Sequence, residues 1–445
     1  MAASPRLRKA RAPGTLAAPP LERRMRPNLT PDIDLAARLF ATLRQRTFDG
    51  TGITREAYGP GERIAHEIVR HAAEELGLET RTDPAGNLLM TLPGRDRTAK
   101  RIILGSHLDS VPQGGNYDGA AGVLAGLAAV AGMKHANYQP ARDITVLAIR
   151  AEEGGAWFPS GLPGSRAAIG RLPPEHLQTP RLDTGRSLAD HMREEGFDPE
   201  AVARGECLLP PETIEAYVEL HIEQGPVLEA QQTPIALVTG LPGSRRIREG
   251  RVIGEYNHSG ATPRRYRRDA AIALAEFATK LDDEWARLET LGHTLVVTFC
   301  ILATTDQAGF TKIPGEAHFQ LDIRGTTQAA IDAIHTAIDH LIPEIEARRG
   351  VRFELTRGPL NQPTPMSPEI RSALSRAAEE LGIATLTMPS GGGHDAASFA
   401  QAGIPTCMIF VRNQHGSHNP NEAMRMEDFS RGCEVLTRWA AEAAG

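Results

Sequence analysis

Between residues 105 and 123 the chain reads GSHLDSVPQGGNYDGAAGV, which places His107, Asp109 and Asp118 directly after the apolar run RIILG. Charge is expensive at the end of a buried strand, so such a cluster needs a chemical reason. In an extended segment residues i and i+2 face one side, and Asp109 is therefore placed to hold the far ring nitrogen of His107 and fix its tautomer. Asp118 has two carboxylate oxygens and can bridge two cations. Three other apolar runs end in the same manner: ITVLAI leads to Glu152 and Glu153, IEAYVEL to His221 and Glu223, and TCMIFV to His415 and His418. Ligands of open α/β sheets bind at the carboxyl ends of strands. Acidic groups gathered in one such crevice repel one another unless a cation sits among them. The adjacent pair Glu152 and Glu153 suits metal-assisted hydrolysis, in which one carboxylate binds the metal and the other takes a proton from water.

The elements that must position these residues follow from periodicity. TPDIDLAARLFATLRQRT (30–47) predicts an amphipathic helix capped by Thr30, with Pro31 at its first position. Residues 61–78 predict a second helix, ended by Gly77, and the run 120–133 an apolar helix packed on a sheet. Strands alternating with helices imply an α/β sheet with helices on both faces. The middle differs: strands at 245–260, 293–304 and 316–325 with helices near 268–290 and 328–342 predict a small separate sheet covered on one face. The chain then returns to α/β, with a helix at 368–382 and the loop PSGGGHDAASF. The expected organisation is an extension over 1–26, a catalytic domain in two parts (27–232 and 345–445), and an inserted α+β lid over 233–344.

Composition narrows the function classes. Of 445 residues 41% are hydrophobic and 23% charged, and the formal net charge is −6, which argues against a nucleic-acid surface. The four cysteines, Cys207, Cys300, Cys407 and Cys433, lie far apart and form no C-x-x-C pair, which fits a reducing, cytoplasmic compartment. The longest apolar run is too short to span a bilayer. The first 24 residues are rich in Arg and Pro with one acidic residue, lack an apolar face, and are expected to be disordered.

SHLDSV…YDGAAGV, EEGG, HIEQGPVLE, HSGATP…RRDA, GGGHDAASF and SHNPNE together resemble the zinc-dependent amidohydrolases of the N-carbamoyl-L-amino-acid hydrolase, β-ureidopropionase and allantoate amidohydrolase family. These are hydantoinase/carbamoylase family amidases within the binuclear zinc aminoacylase and carboxypeptidase superfamily. The resemblance runs from about residue 31 to the C-terminus and implies a mixed-sheet catalytic domain with an inserted lid through which two subunits pair. It implies that His107, Asp118 and His221 bind one metal and Asp118, Glu153 and His418 the other. The metal would be zinc, with manganese, cobalt or nickel as alternatives. Glu152 is implied as general base, and Gln224 as a contact to the carbamoyl or carboxylate end of the substrate. Arg324 is implied to bind the substrate carboxylate, and Gly391, Gly392 and Gly393 to line the pocket. His258 is implied to reach from the lid into the neighbouring subunit's site. The peptide after the bridging aspartate is often cis in this family, and Gly119 follows it here.

Departures from the pattern fall around the pocket. EEGGAWFPSGLPGS carries Trp157 and an extra residue where the family has Arg-Phe, and Thr311 in GFTKIPG stands where the family has Asn. The resemblance therefore implies cleavage of a C–N bond in an N-carbamoyl-L-amino acid or related ureido acid, bulkier or more apolar than allantoate. Allantoate or β-ureidopropionate hydrolysis is the alternative. A dipeptidase or N-acyl amino-acid deacylase is a further one, which His221 in place of a carboxylate argues against. Arg324 has a second reading as a strand-end ion pair.

Overall fold

Alternating apolar strands and helices assemble into one large and one small sheet in a computed structural model that describes residues 29–445. The extension assigned to residues 1–26 lies outside the described residues. The first helix, α1, runs Ile33–Thr47. Its cap is Asp32, whose carboxylate accepts the Leu35 N–H at 2.9 Å, and not Thr30, which lies two residues further out. Helix α2 follows at Pro60–Glu75.

The strands of the catalytic part are β1 (Glu79–Thr82), β2 (Leu88–Leu92), β3 (Arg101–His107), β4 (Ile144–Ile149), β5 (Ile214–Ile222) and β6 (Ile235–Val238). The inserted part contributes β7 (Ile247–Ile253), β8 (Leu295–Thr304), β9 (Glu316–Gly325) and β10 (Arg352–Arg357), and β11 (Thr385–Met388) and β12 (Thr406–Val411) return to the first. The large sheet has eight strands in the order β1-β2-β4-β3-β5-β12-β6-β11. Its centre, β4-β3-β5-β12, is parallel throughout. Four carboxyl ends therefore open on the same edge, the arrangement that places ligands in α/β proteins. All six residues of β4 and of β12 are buried, as near-continuous apolar runs demand.

Helix α3 (Ala120–His135) is apolar all round and buried from Ala120 to Met133, packed against β3 and β5. Small residues permit the approach: a Cβ at Gly122 would stand 2.3 Å from the Leu220 carbonyl oxygen. The helix starts directly after Asp118, where the partial positive charge of its N-terminus favours an ionised carboxylate.

The small sheet has the core order β8-β9-β7-β10, with Gly243–Ser244 also paired to β9. Helices α4 (Ala270–Thr290) and α5 (Gln328–Arg349) cover it over a separate apolar core that includes Phe277, Phe319 and Phe353. The expected β-α-β-β-α order is present, with one strand added. Ile235–Val238, assigned to the lid by the boundary at 233, pairs with β12 and β11 in the large sheet. Arg352–Arg357, assigned beyond the boundary at 344, pairs with β7 in the small one. The inserted unit thus spans roughly Gly243 to Arg357, since hydrogen-bond pairing and not composition sets its limits. Helices α6 (Pro368–Leu381) and α7 (Met426–Ala443) complete the catalytic part. No helix among the described residues is long and apolar enough to cross a membrane.

Candidate metal centre

Each central strand delivers a ligand-type side chain to the common edge. His107 is the last residue of β3 and lies beside Ile149 of β4. His221 is near the end of β5, beside Phe410 of β12. His107 and His221 are 1% and 0% exposed, and Asp118 3%. The Nδ1 of His107 lies 3.1 Å from the Asp109 carbonyl and 3.3 Å from its Oδ1, and the Nδ1 of His221 lies 2.9 Å from the Ile222 carbonyl. These acceptors hold the ring protons on Nδ1 and turn both Nε2 atoms inward as acceptors, that of His221 also receiving the Gly119 N–H at 3.2 Å. They converge on Asp118 Oδ1, at 3.6 Å from His107 and 3.1 Å from His221. The two Nε2 atoms are 3.4 Å apart. Asp118 Oδ1 is buried and accepts no hydrogen bond. Two lone pairs facing a buried carboxylate oxygen form a donor set for a cation, and His107, Asp118 and His221 fit one.

The other oxygen of Asp118 faces a second set. His418 Nε2 stands 3.4 Å from Asp118 Oδ2 and 3.3 Å from Glu153 Oε1. Hydrogen bonding to Asp118, then to Glu153, pushes His418 up to about 11. These carboxylates demand positive charge at that point, a demand a metal ion meets. Burial would raise Asp118, but the neighbouring imidazoles, His221 first and then His418, hold it well below the usual carboxylate range. Burial pushes Glu152 well above that range, with the His107 charge opposing and the Glu153 charge adding to the effect. Gln224 Nε2 donates to Asp118 Oδ2 at 2.8 Å.

The segment after β4 is held from behind. Asp109 accepts the Glu152 and Glu153 N–H groups at 3.0 and 2.9 Å, so it anchors both the His107 ring and the glutamate pair. Buried Glu62 accepts the Ala151 N–H at 2.9 Å and pairs with Arg150 at 2.8 Å. Ala151, Gln224, His415 and His418 all have positive φ, between 57° and 65°, strain of the kind that functional sites retain. Neither Glu62 nor the fully buried Arg55, which donates to the Leu108 carbonyl at 2.6 Å, was visible in the sequence. Glu422 was visible only as the last letter of SHNPNE. A third grouping, Glu219, His221 and His394, lies behind the centre. The oxygens of Glu219 already accept from Ser106, Tyr217 and the Ala396 N–H, so it supports the site. Glu223, two residues after His221, instead accepts the Val227 and Leu228 N–H groups of a short helix.

Several expectations change. All described peptide bonds are trans. Gly119 is required for another reason: its φ is +66°, and a Cβ there would stand 2.3 Å from the His107 ring. Trp157 does not wall the pocket. It is 5% exposed, in an apolar cluster with Phe158, and its Nε1 donates to the Ser110 carbonyl at 2.8 Å. The Gly392 N–H is engaged by Ser390 Oγ at 3.0 Å, so it is not a free donor to a ligand.

Two groups lie on the inserted unit. The Nδ1 of exposed His258 accepts the Gly260 and Ala261 N–H groups, each at 3.1 Å, which leaves its proton on Nε2. Its partner across a short ladder is Lys312, and the preceding residue, Thr311, accepts the Ser259 N–H on its carbonyl at 2.9 Å. Among the described residues no hydrogen bond or ion pair joins His258 or Thr311 to the metal-facing cluster of the same chain. Arg324 pairs with Asp322 at 2.8 Å and donates to the Gly391 carbonyl at 3.1 Å, linking the inserted unit to the catalytic part. Arg246 shares the same aspartate at 2.9 Å, so two guanidinium groups face one carboxylate.

A parallel-centred sheet with paired imidazole and carboxylate sets at its carboxyl edge, interrupted by a small α+β unit, defines a class of metal-dependent hydrolase. Residues 103–442 match Peptidase family M20/M25/M40, and the chain belongs to that family, which is metal-dependent. Within it, the chain is 37% identical over 386 residues to an N-carbamoyl-L-amino acid amidohydrolase of Geobacillus stearothermophilus, covering 86% of this chain and 92% of that protein. It is 33% identical over 387 residues to an allantoate amidohydrolase of Escherichia coli (strain K12), covering 86% and 91%. A crystal structure of an amidase of the hydantoinase/carbamoylase family from Burkholderia multivorans superposes with a TM-score of 0.85 at 28% identity, covering 94% of this chain and 99% of that one.

Proposed function

We propose that this protein hydrolyses the C–N bond of an N-carbamoyl-L-amino acid or related ureido acid in a two-cation site. The observation that carries the reading is the convergence on Asp118 of inward-facing Nε2 atoms and carboxylate oxygens, with Oδ1 buried and unpartnered. His107, Asp118 and His221 would hold one divalent ion and Asp118, Glu153 and His418 the other, with zinc as the metal and manganese, cobalt or nickel as alternatives. When bound, such ions supply Lewis-acid polarisation and lower the pKa of a water. Glu152, 10% exposed beside His107, takes the proton of the attacking water and hands it to the leaving nitrogen. Asp109 holds the Glu152 and Glu153 peptides in register for these roles. The surplus positive charge of Arg246 and Arg324 over Asp322 receives the substrate carboxylate, and Gln224 orients the ureido end.

His258 acts in a second copy of the chain, where its Nε2–H donates to the developing oxyanion. The dimer contact is the outer edge of the small sheet. β8 is its edge strand, and Val296, Ile301 and Leu302 are exposed there. A cytoplasmic location is supported by four free cysteines. The test is a substrate panel of N-carbamoyl-L-amino acids, allantoate, β-ureidopropionate, N-acetyl amino acids and dipeptides. Chelation should abolish hydrolysis of the ureido acids, and zinc, manganese or cobalt should restore it. Full turnover by metal-free protein, or a preference for dipeptides, would overturn the reading.

A further inference from the structure

The segment that carries His418 has little regular structure to hold it. His415, Gly416 and His418 all have positive φ, and His418 is half exposed. Asn413 and Asn419 bond within the segment, to the Gly416 carbonyl and to the His415 and Ser417 carbonyls. Its ties to the Asp118 segment, apart from the metal-facing side chains, run through Ser417 and Glu422. Glu422 is 5% exposed, and its Oε1 accepts the Tyr117 N–H at 2.9 Å and the Asp118 N–H at 3.1 Å. Ser417 Oγ lies within hydrogen-bond reach of both its Oε2 and Asp118 Oδ2, and its one proton is donated to one of the two at a time. The carboxylate is fitted closely, since a Cβ on Gly115 would stand 2.0 Å from Glu422 Cδ.

We infer that Glu422, acting through Ser417, is a positioning residue that builds the half of the centre formed by Asp118, Glu153 and His418. It fixes the Asp118 backbone with one oxygen and, through the Ser417 hydroxyl, orients the carboxylate oxygen that faces His418. The other half depends on it only through Asp118 itself, because its remaining members, His107 and His221, are held by Asp109 and by the Ile222 carbonyl. The inference rests on the two-cation reading above.

The experiment titrates metal-free full-length protein with zinc against a chromophoric chelator and confirms stoichiometry by elemental analysis. The unsubstituted protein should bind two ions, and Glu422→Ala should weaken one of them about 10–100-fold, the usual effect of losing a group that orients a ligand. Ser417→Ala, which removes only a hydroxyl, should weaken the same ion and serves if Glu422→Ala fails to fold. Glu422→Gln retains an acceptor for the backbone N–H groups and a donor to Ser417, and should keep both ions. Adding Glu422→Ala to His418→Ala should cause no further loss, whereas adding it to His107→Ala should. Equal weakening of both ions, or two ions at undiminished affinity in both Glu422→Ala and Ser417→Ala, overturns the inference. Fewer than two ions in the unsubstituted protein removes the two-cation reading, and the inference falls with it.

Discussion

Gly119→Ala tests whether the first residue after Asp118 is dictated by the metal-facing imidazole. The added Cβ would stand 2.3, 2.4 and 2.5 Å from Cε1, Nδ1 and Nε2 of His107, over the face of the ring. Ordinary contact begins near 3.4 Å, so the ring must withdraw by 3.4 − 2.3, or about 1.1 Å. It has nowhere to go, being 1% exposed and tied to Asp109. A side chain at φ +66° adds about 1–2 kcal/mol and overpacking about 1–3 kcal/mol, so the expected loss of stability is roughly 2–5 kcal/mol. At about 2–4 °C per kcal/mol for domains of 150–250 residues, the melting temperature should fall by roughly 4–20 °C. Displacing a ligand by about 1 Å should reduce kcat on the order of a hundredfold. Differential scanning fluorimetry, zinc content and steady-state kinetics on one ureido acid measure all three. A melting temperature within about 2 °C of the parent, with both ions retained, would refute the argument from contact distances.

The other expectations concern the roles of single side chains. Glu152→Gln should keep both metals and lose about 10²–10⁴ in turnover; loss of metal there, with Glu153→Gln keeping both ions, would exchange the two roles. Mixing inactive His258→Ala with inactive Glu152→Gln should restore activity, because a mixed dimer contains one site with both residues intact. Heterodimers that form without recovery would remove His258 from the neighbouring site. Thr311→Asn lengthens a side chain and adds an amide on the segment that pairs with His258. The added bond of about 0.5–1.5 kcal/mol should shift kcat/KM toward allantoate and away from N-carbamoyl-phenylalanine by about tenfold. An unchanged ratio would show that this position does not set preference.

The ligand-type residues are legible because each stands at the end of an apolar run or in the segment that follows it, and apolar runs locate strand ends. His107, Glu153, His221 and His418 satisfy that rule on four neighbouring strands. Asp118 came with α3, whose apolar sequence marks a helix packed on the sheet. What joins these residues was not legible. Glu422 meets Asp118 across 304 positions, and Arg55 meets Leu108 across 53; neither spacing has a period that a local pattern can reveal. The limits of the inserted unit are not legible because Ile235–Val238 is apolar enough for either sheet, while RFELTR alternates too weakly to declare a strand. The placement of Trp157 is not legible either, because its position in the chain says nothing of the Ser110 carbonyl that holds its indole.

The order of strands in the large sheet also bears on how the protein is made. β12 lies between β5 and β6, yet it emerges from the ribosome after both and after the whole inserted unit. From Ile222 to Thr406 is 406 − 222, or 184 positions, which at about 5–20 residues per second is roughly 10–40 s of translation. During that interval the edge of β5 has no final neighbour, and Asp118 and Glu153 face each other without His418. The inserted unit is contiguous and can close over its own core in the meantime. On the two-cation reading, metal capture at the His418 half would therefore be an event of the finished chain. A nascent protein stalled short of β12 would expose an apolar strand edge, the kind of surface that chaperones shield and that aggregates recruit.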